Sequence, residues 1–196
     1  NDASRNNGKA SKQSLKKLSS AYEDAGKYLD SAETDEFIND LYPGTISLNN
    51  IALKYGEAGR DDKKRKLLEQ AYHQSPNNAT IIFNFALTLK RTESSRYKDL
   101  MEESISIAPN DPVHLYDFGC WLRNHNERQR GQDMIDQAMH IWGERLVHGR
   151  MMSWDYGWYA SALESIGEYT KAKEVRSNAV KKATSEYNSE NLTQIK

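Results

Sequence analysis
A small residue directly after a large apolar one, with a second apolar residue three positions on, recurs along this sequence. It appears at Ile51-Ala52-Tyr55, Phe85-Ala86-Leu89, Phe118-Gly119-Leu122 and Tyr159-Ala160-Leu163, with a weaker copy at Leu18-Ser19-Tyr22. The small positions Ser19, Ala52, Ala86, Gly119 and Ala160 are 33, 34, 33 and 41 residues apart. A period of that size marks a unit that cannot bury its own apolar surface and must stack against copies of itself. A small side chain lets two helices approach closely, and a Leu at Gly119 would push them apart. A second small position, at Ala71, Ser104, Ala138 and Ala179, keeps phase with the first.

One repeat shows the logic. Leu48, Ile51, Ala52 and Tyr55 lie on a single face of a helix, because steps of three and four superpose at 3.6 residues per turn. Gly56, Ala58 and Gly59 end that helix, and Asp61 and Asp62 suit the start of a second. Leu67, Leu68, Ala71 and Tyr72 form the apolar face of this second helix, and Pro76-Asn77-Asn78 stops it. The spacing predicts an antiparallel helix pair.

This pattern resembles the tetratricopeptide repeat family, whose repeat of about 34 residues carries the signature W-x2-L-G-x2-Y, then A-x3-F, then P. Leu48, Ile51, Ala52, Tyr55, Leu68, Ala71 and Pro76 match it. Gly167-Glu168-Tyr169 followed by Ala172 looks like the family's turn into the second helix, and Gly26-Lys27-Tyr28 repeats it. Pro43, Pro76 and Pro109 occupy the closing position of three units. Departures are Lys64 and Tyr97 at the early small position of the second helix, Asp35 at the aromatic's place, and no unit with the initial Trp. The resemblance implies an all-α fold, a right-handed α-solenoid of about five helix-turn-helix units. The units are expected over about 12–44, 45–78, 79–111, 112–145 and 153–186. Residues 1–11 read as a disordered polar segment, and 187–196 as a C-terminal tail. Residues 146–152 have no counterpart in the other units, and either an extended helix or a bulging loop accounts for them.

Composition excludes several classes. A net charge of −1 gives no bulk attraction to nucleic acid or anionic lipid, so neither is expected as a partner. A mean hydropathy of −0.87 with 37% hydrophobic residues suits a stacked array whose helices face water over much of their surface. The single cysteine, Cys120, excludes an internal disulfide. No apolar run approaches the roughly 20 residues of a membrane helix. A cytoplasmic location is expected. The first residue is Asn1 and not Met, which reads as a fragment or a processed form.

In the family the first helices line an inner groove that holds peptides in extended form. The resemblance therefore implies a peptide site at Asn50, Asn84, Asp117 and Trp158, beside Asn49, Phe83 and Tyr116. An asparagine amide both donates and accepts, so it can pair with any peptide backbone. Phe83, Tyr116, Trp154 and Trp158 supply aromatic anchors. Certain family members clamp a terminal carboxylate, and Lys16 and Asn50 match two members of that clamp. Ser20, Thr80 and Asn84 stand where the others belong, so its cationic half is missing.

Catalytic and metal patterns are weak. His140, Glu144 and His148 are spaced for one helical face, yet Gly143 and Gly149 interrupt it, and polar side chains facing water are the better reading. Cys120 and His125 lack a third orienting group. The run Arg60–Lys66 reads as a solvated face. No enzyme activity, cofactor or metal is expected. The expected function is a scaffold for protein–protein interaction that binds a peptide or protein partner. Alternatives are an accessory domain of a larger enzyme or chaperone, and self-association as a homodimer through the C-terminal end.

Overall fold
The computed structural model of the protein describes residues 11–193, with side chains described for 11–184. The expected disorder of the first residues lies outside this range, except at its last residue. Ten helices and no strand form among the described residues. They divide into two compact units, one running to Ile107 and the other starting at Ala108.

The first unit holds α1 (Lys12–Asp24), α2 (Tyr28–Leu41), α3 (Leu48–Glu57), α4 (Asp61–Gln74), α5 (Ala79–Leu89) and α6 (Ser94–Ile107). They pack as the pairs α1/α2, α3/α4 and α5/α6, and α2 with α3 and α4 with α5 join one pair to the next. Ser11, Ser47 and Asn78 cap α1, α3 and α5 by accepting hydrogen bonds from backbone amides of the first turn. Gly26, between α1 and α2, has φ +69°, and an added Cβ there would meet nothing within 4 Å. Its requirement is therefore conformational. Ile51, Ala52, Leu68, Ile82, Phe85, Ala86 and Leu89 are fully buried, as their periodicity predicts.

Lys64 and Tyr97, the departures at the early small position, are accommodated differently. Opposite Lys64 stands Gly56, and the Lys64 side chain lies over it so closely that a Cβ at Gly56 would sit 2.7 Å from Lys64 Cδ. Tyr97 is itself fully buried, and the Lys90 ammonium lies 5.6 Å from its ring centroid.

The second unit holds α7 (Pro112–Arg123), α8 (Arg128–Val147), α9 (Ser153–Ser165) and α10 (Tyr169–Thr193). The pairs are α7/α8 and α9/α10, with α8 and α7 both against α9. At the crossing of α7 and α8, a Cβ on Gly119 would stand 2.7 Å from the Gly131 carbonyl oxygen, and a Cβ on Gly131 would stand 2.5 Å from that of Gly119. Backbone meets backbone here, which is the reason for the small position.

Residues 146–152 divide between the two readings left open for them. Helix α8 continues to Val147, and a short turn with Gly149 at φ +65° follows. The extension is held from its own last turns, where Trp142 is fully buried and Arg145 reaches α9. At the other end, the backbone of α10 is helical through residue 193, past residue 187 where the sequence reading begins a tail.

Candidate functional site
In the first unit, the first helices α1 and α3 face one another across an open groove of about 480 Å³. Its walls carry Lys16, Ser20 and Glu23 from α1 and Asn50, Leu53 and Glu57 from α3. The floor is polar. Asp35, at the position where the signature has an aromatic, is buried and accepts hydrogen bonds from Ser19 Oγ at 2.5 Å and Lys54 Nζ at 2.7 Å. Ser31 donates to the Ser19 carbonyl at 2.9 Å. The small residues Ser19 and Ser31 and the out-of-pattern Asp35 thus form one buried network, consistent with the rule that buried polar groups are paired.

Lys54 is the key to this floor. Its ammonium contacts Asp35 Oδ2 at 2.7 Å, Glu23 Oε2 at 2.9 Å and Ser19 Oγ at 3.2 Å. An ammonium has three donors, and these acceptors use all of them. Burial pulls the Lys54 pKa down, but hydrogen bonds and charge attraction from Asp35 and Glu23 outweigh it and leave the pKa raised. Lys54 is therefore a cation at neutral pH.

The asparagines expected in the groove differ among themselves. Asn50 is exposed on the groove wall. Asn84 donates to Asn49 Oδ1 at 2.8 Å, tying α5 to α3 one residue out of step with the repeat. Asn49 in turn donates to Asn50 Oδ1 at a long 3.5 Å. The three amides form a row across the two helices. Phe83 is buried at 5% exposure and packs into the unit.

In the second unit, Tyr116 of α7 is half-buried; its hydroxyl lies 3.2 Å from Ser165 Oγ of α9, joining two first helices. Its ring lies 5.7 Å from that of Trp142, which also meets Tyr159 at 5.6 Å. Desolvation raises the Tyr116 hydroxyl pKa, so it stays protonated. Asp117 is buried at 7% exposure, Trp158 is half-buried, and Trp154 is open to solvent at 56%. Nearby, Asp155 is fully buried and accepts from Trp142 Nε1 at 3.0 Å, Arg145 at 3.0 and 3.1 Å, and the Met152 amide at 2.9 Å.

Sequence reasoning missed Glu23 and Lys54 as site residues and Asp155 as a clasp. The available signal was Asp35 itself, an acid at an apolar position in phase with two serines at small positions. His148 Nε2 lies 3.4 Å from Glu144, and no group of three or more His, Cys, Asp or Glu among the described residues is arranged to hold a metal ion. No helix among the described residues is long and apolar enough to cross a membrane.

No family model matches the sequence, and no curated protein does. Solved structures do match. The chain is similar to a crystal structure of MamA protein at TM-score 0.58 and 12% identity, over 90% of this chain and 94% of that one. A MamA from Desulfovibrio magneticus RS-1 gives TM-score 0.59 at 12% identity, over 69% of this chain and 77% of that one. BtubC (BKLC) from P. vanneervenii gives TM-score 0.57 at 18% identity, over 89% and 80%. At such identities the likeness shows the fold alone: an all-α helical repeat of the tetratricopeptide kind.

Proposed function
We propose that this chain is a non-catalytic interaction module that holds an extended segment of a partner protein along the first helices of its first unit. The observation that carries the reading is the groove between α1 and α3, with the exposed Asn50 on its wall and the row of amides Asn50, Asn49 and Asn84 beside it. Amides spaced along successive helices match the repeating donors and acceptors of a peptide backbone and do not require a given side chain. Buried Phe83 supports α5 within the first unit, and the second unit by itself offers Tyr116, Trp154 and Trp158 as aromatic contacts, with Asp117 supporting α7.

The test is fluorescence polarisation of a labelled pool of randomised dodecapeptides titrated with the full chain. Saturable binding that weakens about fivefold or more in the Asn50→Ala, Asn84→Ala double variant, with helicity unchanged, supports the groove. Equal affinity in the double variant refutes it.

A second reading is self-association through the last helix. Tyr169 and Val180 are exposed at 69% and 66%, and residues eleven apart fall on one helical face. Light scattering that gives a monomer mass at all concentrations removes this reading.

A further inference from the structure
We infer that the α1–α3 groove takes a basic side chain, lysine or arginine, from the partner segment. The inference rests on the groove reading above and names the chemistry the groove selects. Two lysines, Lys16 and Lys54, line it against three carboxylates, Glu23, Asp35 and Glu57. Lys54 has all three donors engaged by Asp35, Glu23 and Ser19, so it has none to offer an incoming anion. One ammonium shared by two carboxylates leaves that cluster one charge negative. Glu57 adds a further negative charge, and among the described residues lining the groove the cation left open to a ligand is the exposed Lys16.

The charges are also separated in space. Lys16 and Glu23 are seven residues apart on α1, roughly 10 Å along the axis. Glu23 and Glu57 both lie in the last turn of their helices, since α1 ends at Asp24 and α3 at Glu57. Helix C-termini carry partial negative charge from their unpaired carbonyls, which adds to that of the two glutamates and favours a cation there. Leu53, Ile46 and Tyr28 also line the groove. An aliphatic wall with an aromatic face suits the methylene stem of a long basic residue, whose charged head then reaches the glutamates. An acidic side chain would meet only Lys16, at the opposite end.

The experiment compares three labelled dodecapeptide pools, identical in randomised flanks but with Arg, Leu or Glu fixed at the centre, each titrated with the full chain. The Arg pool is expected to bind about threefold or more tighter than the Leu pool, and the Glu pool weakest. The preference should shrink as salt rises. Glu23→Gln with Glu57→Gln should bring the Arg pool to the level of the Leu pool. Glu57→Gln alone, which leaves the Lys54 contacts untouched, should remove part of the preference even where the double variant is destabilised. A tighter Glu pool, equal affinity for all three, or a preference that survives both variants overturns the inference while leaving the groove reading standing. Failure of every pool to bind overturns both.

Discussion

Asp35 in the first unit and Asp155 in the second are both almost wholly buried, and the two are used differently. In the first unit Asp35 takes two partners from hydroxyl and ammonium groups, and its cluster forms the floor of an open groove. In the second unit Asp155 gathers an indole, a guanidinium and a backbone amide, and its cluster closes the corner between α8 and α9. A buried acid therefore does not by itself mark a site. What separates the two is whether charge is left over: Asp155 is answered by Arg145, whereas Lys54 must serve two carboxylates.

The largest expected effect follows from that difference. Asp155→Ala strips Trp142 Nε1, Arg145 and the Met152 amide of their acceptor at once and should cost about 3–5 kcal/mol. All four tryptophans lie in the second unit, so tryptophan fluorescence during urea unfolding reads this loss. Asp35→Ala should cost less, about 1–3 kcal/mol, because Glu23 still holds Lys54. Equal costs would break the comparison.

The helix crossings sharpen it further. A Cβ at Gly119 would clash with a backbone oxygen, so Gly119→Ala should cost about 1–3 kcal/mol. A Cβ at Gly56 would meet only the far end of the Lys64 side chain, which can swing away. Gly56→Ala also gains up to about 1 kcal/mol in helix propensity, so its net effect should be near zero or stabilising. Thermal midpoints of the two variants decide the matter.

Much of this was legible in the sequence because it depends on local spacing. The small positions, the turn glycines Gly26 and Gly167 and the close approach at Gly119 all follow from periodicity and backbone geometry. The pairing of Asp35 with Lys54 was not, since it joins residues nineteen apart on different helices. Nor was the degree of burial at Phe83 and Asp117. Helices α5 and α7 each bury a broad face, including Ile82, Phe83, Phe85 and Ala86 in one and Leu115, Asp117 and Phe118 in the other. A repeat signature records one stripe of such a face and not its width.

The smallest expected effect is a pH response confined to the second unit. Burial lowers the His114 pKa below its ordinary value of 6.5, against the attraction of Asp111 and Asp117. The unfolded chain then binds a proton at a pH where the folded chain does not. Stability is held above about pH 6.5 and is lost as the pH falls below it. The fluorescence-detected midpoint should drop between pH 7.5 and 5.5, and His114→Gln should flatten that slope. An unchanged slope would remove His114 as the cause.

The α1–α3 face is the proposed seat of the partner segment. Chemical-shift mapping of the isotope-labelled chain, with the tightest-binding dodecapeptide added, tests this most directly. The expected result is perturbation of the Asn50 side-chain amide and of backbone amides over residues 16–23 and 50–57. Shifts confined to α2, α4 or the second unit, with Asn50 unmoved, would contradict it.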